Sequence, residues 1–312
     1  MNYFMSLDPL ALFRSMPGAF AQGMVWGLMA LGVYITYRLL DFADLTVDGT
    51  MATGGAVFVM LMLSGCNLVV AMFVAVIAGM LAGLTTGLFH SAMGIPAILS
   101  GILTQLSLYS INLWIMGFQA NQGINVRKYT LFVSALNVRA LSMQNPIFRL
   151  LILMAALIGF LYWFFGTELG CALRATGANP AMARAQGINT NLCKILGLMI
   201  SNGIVALAST LLAQSQGSAD VNMGKGAIVI GLAAVIISEV VFGKLFKNFA
   251  LKLAGVGLGA VIYYIVIQIV LWLGLNTNLL KLLSAMVVAM FLAIPYWKSK
   301  IRPRQKGGRV HA

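Results

Sequence analysis

The chain has 312 residues, 61% of them hydrophobic and only 9% charged, with a formal net charge of +13. A soluble domain is about 25% charged and about 45–50% apolar, so this composition excludes a soluble globular enzyme, a disordered chain and a secreted disulfide scaffold. A mean hydropathy of +0.94 fits an all-α, polytopic helical membrane protein with about 8–10 transmembrane helices, some broken or re-entrant, because a spanning helix needs about 20 apolar residues. Long unbroken apolar runs disfavour a barrel, whose strands alternate in polarity.

Nine apolar runs are candidate spans: 17–38, 43–63, 68–90, 95–118, 146–165, 192–214, 226–242, 253–273 and 279–297. The second and seventh start in Gly-rich polar sequence, and the seventh is short, which marks both as candidates for broken helices. The N-terminal segment has no basic cluster before an apolar stretch, and Asp8 and Pro9 interrupt it, so it does not read as a signal peptide.

Lys and Arg accumulate in cytoplasmic segments, so the positive charge reads as topology, not as a nucleic-acid signal. The tail 298–312 carries Lys298, Lys300, Arg302, Arg304, Lys306 and Arg309 and is expected inside. Lys244, Lys247 and Lys252, and the stretch from Glu168 to Lys194, fall on the same side. Nine spans then place the N-terminus outside. The segment 119–145 faces outward by this count although it holds Arg127, Lys128 and Arg139, an exception that a long outer loop permits. Cys66, Cys171 and Cys193 lack metal-ligand spacing and are expected as free thiols. His90 and His311 are too far apart for a metal or relay site, and no catalytic constellation emerges.

Three polar features stand out. Asp41, Asp44 and Asp48 fall in the junction LLDFADLTVDGTMATGG, between the first two runs. Such acids either line a transport path, with Thr50 beside them and glycines permitting close backbone approach, or cap a helix. The cap reading is preferred for Asp44, and both stand for Asp48. Glu239 is an acid inside an apolar run; it lies near the inner end of its span, where pairing with Lys244 or Lys247 is the preferred reading over a place in the path. Gln105 and Asn112 in the fourth run, Asn202 in the sixth and Gln268 in the eighth either line a path or bond between helices.

The third feature is the hydrophilic stretch 168–194. Asn179 suits an N-cap, Pro180 the first helical position and Gly187 the stop, which predicts a short helix over 180–186. Ala181, Ala183 and Ala185 keep it slim and Arg184 gives it charge. A short rigid helix between spans is suited to docking into a groove on another protein; the alternative is a helix lying on lipid head groups.

The stretch ALRATGANPAMARAQGIN resembles the cytoplasmic coupling segment of ABC importer permeases of the branched-chain amino acid and ribose type. ALGVYITYRLLDFADLTVDGTMATGGAV resembles the first two helices of the same family, and its Asp-Leu-Thr-Val-Asp-Gly wording, with QGSADVNMGKGAIVIGLAAVIISEVVFG downstream, is similar to the tryptophan/tyrosine permeases that occur with a binding lipoprotein. The likeness runs from Met24 to Phe249. It implies a permease domain over 1–297 in a bacterial inner (cytoplasmic) membrane, present as two copies, a homodimer by expectation. It further implies an ATP-binding cassette ATPase docked on Asn179, Pro180, Ala181, Ala183, Arg184 and Gly187, and an extracytoplasmic binding protein that delivers substrate. The chain has no G-x-x-x-x-G-K-[ST] loop, so ATP and Mg are expected on the ATPase and not here. Two other classes remain to compare: an ion-coupled secondary transporter, which needs ionisable ligands at mid-membrane, and an intramembrane enzyme, which needs an acid–base, nucleophile or metal constellation.

Overall fold

Backbone N–H and C=O groups in hydrocarbon must be satisfied within their own segment, and the apolar runs meet this demand as helices. The computed structural model describes residues 9–126, 129, 131–133, 145–243, 245–273, 282, 285–291 and 293. In chain order these form α1 (Pro9–Tyr34), a π turn (Ile35–Leu39), α2 (Thr46–Leu63), α3 (Leu68–Ser91), α4 (Ala97–Ile115), β1 (Asn121–Gly123), α5 (Pro146–Phe164), α6 (Glu168–Ala178), α7 (Pro180–Ala185), α8 (Thr190–Gln216), β2 (Ser218–Asp220), α9 (Ala227–Phe242) and α10 (Phe249–Trp272).

Among the described residues seven helices are long and apolar enough to cross a membrane, and α9 is a shorter apolar helix of 16 residues. Together they account for the first eight expected spans. Of the ninth, 285–291 is helical, while much of 279–297, the tail 298–312 and most of 127–144 lie outside the described residues. Two expectations need revision. The stretch 168–194 holds two helices, α6 and α7, because Thr167 also caps a helix by accepting from Gly170 N. The segment 119–145 contributes a short strand, β1, which pairs antiparallel with β2 and so joins the α4–α5 connection to the α8–α9 connection.

The ends of the helices sort into two groups. Gly177 of α6 abuts the Leu39 carbonyl, Gly87 of α3 abuts Ile195 of α8, and Arg38 pairs with Glu239 of α9. Phe165 packs on Phe249. The α6–α7 segment therefore shares one end of the bundle with the ends of α1, α3, α5 and α9 and the starts of α8 and α10. The β1–β2 pair lies at the other end.

Association of these helices relies on close packing, since lipid tails are as apolar as leucine. On α3, Ala71, Ala75, Gly79, Gly83 and Gly87 recur every fourth residue and are buried, three of them against α8. A Cβ at Gly83 would overlap the Leu198 carbonyl, so only glycine allows this approach. The helices α1, α2 and α8 form the centre, whereas α5 is only 11% buried along its apolar window. The outer faces carry Phe73, Trp114 and Trp163, each more than 60% exposed, as suits contact with lipid or a partner.

Candidate functional site

Local sequence builds the α6–α7–α8 unit. The Asn179 side chain accepts from Ala181 N and Met182 N, both at 3.1 Å, with Pro180 at the first helical position. Gly187 adopts φ +82°, a left-handed turn that a β-carbon would strain, and Asn189 then accepts from Leu192 N to start α8. Ala183 is buried, Met182 is 64% exposed, and Arg184 Nε donates to Thr190 Oγ1 at 3.0 Å. Leu173 of α6 packs in one cluster with Leu40, Cys193 and Leu198. The unit is thus fixed to the end of α1 and the start of α8, while Pro180, Ala181, Met182 and Ala185 face outward.

The Asp-rich junction separates into three roles. Asp41 is exposed and sits at φ 51°, at the turn that leaves the π segment. Asp44 is buried; its Oδ1 accepts from Thr46 N at 3.0 Å, and its Oδ2 accepts from Asn202 Nδ2 at 2.7 Å. Asn202 Oδ1 accepts from Thr50 Oγ1 at 2.6 Å. A second chain of buried hydroxyls links Thr46 to Thr86 at 2.6 Å and Thr86 to Thr104 at 2.9 Å. These bonds join α2, α3, α4 and α8, and each partner would otherwise be an unsatisfied polar group in an apolar interior.

Asp48 acts on a different helix. Its Oδ2 accepts from Gly226 N and its Oδ1 from Ile228 N, both at 2.9 Å, so an acid in the first turn of α2 caps the start of α9. Gly226 has no side chain with which to cap its own helix. A Cβ at Gly224 would overlap the Asp48 carbonyl, so glycine lets the two strands of backbone meet. Gly226 precedes Glu239 by 13 residues, which at the helical rise of 1.5 Å puts the start of α9 about 20 Å from the Arg38–Glu239 end. Both spans with Gly-rich starts therefore begin deep in the bundle, and they meet at their N-termini.

Beside this junction lies a cavity of about 270 Å³ between α2, α4 and the 221–225 turn. Asp48, Gln105, Tyr109, Asn112 and Lys225 line it, with Leu106 and Val221 on its apolar side. Asn112 is fully buried, and among the described residues neither its amide nitrogen nor its carbonyl oxygen has a hydrogen-bond partner. Lys225 Nζ lies 6.0 Å from the Tyr109 ring centroid.

Glu239 is elsewhere. Arg38 Nε donates to its Oε1 at 2.9 Å, a partner the sequence reading did not name; no ion pair joins Glu239 to Lys247 among the described residues, and Lys244 lies outside them. The pair sits at a separate cavity of about 330 Å³ lined also by Tyr34, Ser238 and Lys252.

Residues 16–302 match the family described as the branched-chain amino acid transport system permease component. The chain belongs to that family. This permease is 39% identical over 272 residues to the tyrosine transport system permease protein of Clostridioides difficile, covering 87% of this chain and 88% of that one. It is 35% identical over 277 residues to an uncharacterized protein of Rickettsia prowazekii, covering 88% and 95% of the two chains. The ribose import permease of Escherichia coli is 26% identical over 217 residues, covering 69% and 66%. Among solved structures, PsaBC from Streptococcus pneumoniae in complex with Fab superposes with a TM-score of 0.53 at 16% identity, over 98% of this chain and 97% of that one, a likeness of fold alone.

In this permease the six residues singled out in the coupling stretch fall in one unit. Asp44 and Thr50 meet through Asn202, and Asp48 and Gln105 line one cavity. Asp41 and Glu239 join neither group. Lys225 escaped the sequence reading; its only signal was a lone charge between two glycines ahead of an apolar run.

Proposed function

We propose that this permease is the membrane subunit of an ATP-driven importer for an amino acid of the aromatic class. Membership in the family and the kinship with a tyrosine permease support the substrate class. A separate cassette ATPase, carrying ATP and Mg, docks on the α7 helix, and a binding protein delivers substrate at the opposite end. A second copy of the chain completes the path.

The observation that carries this reading is the build of α7. It is capped at both ends, locked to α8 by Arg184 and to the end of α1 by way of α6, yet it leaves Met182 exposed. A helix held so firmly behind and so open in front suits transmission of force from a protein partner better than adhesion to lipid head groups.

The test is uptake in proteoliposomes containing the ATPase and binding protein, with a Met182→Cys variant for cross-linking. Cross-links from the introduced thiol to the ATPase, and loss of uptake in Ala183→Pro with the complex still assembled, are the expected results. Uptake that survives ATP depletion but collapses with an uncoupler would instead establish an ion-coupled carrier.

A further inference from the structure

The cavity beside Asp48 holds an unusual set of unused groups. The Asn112 amide, buried and without a partner among the described residues, can both donate and accept. Lys225 has no carboxylate within ion-pairing distance among the described residues, although it reaches the Tyr109 ring. Asp48 spends one lone pair on each of two backbone N–H groups, and a carboxylate offers about four such sites. A carboxylate, an ammonium and an amide thus face one space, and Tyr109, Leu106 and Val221 supply an apolar wall.

Leaving a buried amide unbonded is costly, and native proteins keep few such groups. The volume, about 270 Å³, lies just below the range of about 300–1,000 Å³ typical for drug-sized ligands. It suits a solute of amino-acid size.

We propose that this cavity is a binding site for a free amino acid. The ligand's ammonium lies on Asp48, its carboxylate on Lys225, the Asn112 amide bonds to the zwitterionic head, and an aromatic side chain rests against Tyr109. The site gives the permease a selectivity of its own, for molecules carrying both charges, in addition to whatever a binding protein selects. The inference rests on the amino-acid reading above, but not on the energy source, so the two fail separately.

The experiment uses the full chain in lipid nanodiscs without ATPase or binding protein, and reads ligand-observed saturation-transfer NMR. L-tyrosine is expected to give a signal that tyramine, lacking the carboxylate, and 3-(4-hydroxyphenyl)propionate, lacking the ammonium, do not displace. Lys225→Met and Asn112→Leu should each weaken binding at least about tenfold, and Lys225→Arg should retain it, since loss of one charge-assisted contact is worth about that factor. Absence of signal from wild type with tyrosine, tryptophan and leucine, displacement by either one-charge analogue, or equal binding by Lys225→Met and Asn112→Leu to that of wild type would overturn the site. None of these results would touch the ATP-driven reading, which the uptake assay decides.

Discussion

Removing the Asp48 carboxylate tests whether α2 holds the start of α9. Asp48→Ala deletes acceptors for Gly226 N and Ile228 N, both at 2.9 Å, and removes a negative charge from a helix N-terminus. Hydrogen bonds to charged groups are worth about 1.5–3 kcal/mol each in soluble proteins, which sets a ceiling of about 3–6 kcal/mol. Side-chain bonds between membrane helices measure less, about 0.6 kcal/mol on average and about 1.7 at most, because the unfolded chain in lipid finds other partners. Two bonds then give about 1–3 kcal/mol, and the partial burial of Asp48 favours that lower range. Asp48→Asn keeps one acceptor oxygen and should cost about half as much. Equilibrium unfolding in mixed micelles measures the totals, and hydrogen exchange localises them: a loss of about 2 kcal/mol raises exchange at the 226–228 amides about thirtyfold. Unchanged protection of those amides in Asp48→Ala, or equal costs for the alanine and asparagine variants, would refute the cap.

The Asp44–Asn202 bond should show a coupling energy of about 1–3 kcal/mol in a double-mutant cycle of Asp44→Asn and Asn202→Leu, because breaking either side leaves a buried polar group unsatisfied. Gly177→Ala drives a β-carbon into the Leu39 carbonyl, so it should lower uptake severalfold while leaving the amount of folded permease, read by size-exclusion chromatography, near wild type. A membrane-impermeant maleimide should label exposed Cys171 from the side of the α6–α7 segment and Cys66 from the opposite side, with buried Cys193 unreactive until the chain is unfolded. Labelling of Cys66 and Cys171 from one side would contradict the arrangement of the helix ends.

What could be read from sequence was what the chain encodes locally. Asn179, Pro180 and Gly187 each act on residues within a turn of themselves, so the short helix was legible to within one residue of its end. The Gly-rich starts of the second and seventh spans also announced themselves, since an interruption is a matter of neighbouring residues. That these two starts meet was not legible, because Asp48 and Gly226 are brought together only by packing of α2 against the α8–α9 connection. Glu239 illustrates the same limit. Its neighbours in sequence suggested lysine partners, yet α9 ends beside the end of α1, where the π turn presents Arg38 to it. For Asn112 and Asn202 the sequence offered the same two options; the fold gives Asn202 the interhelical bond and leaves Asn112 facing a cavity.

The stretch from Leu39 to Asp48 has a mechanical meaning. Its first residue lies under Gly177 of α6, Leu40 under Gly197, Phe42 edge-on to His90, Asp44 on Asn202, and its last residue on the first turn of α9. Contacts so closely spaced tie α6 at one end of the stretch to the cavity wall at the other, so ten residues of backbone span the distance that the proposed coupling has to cross.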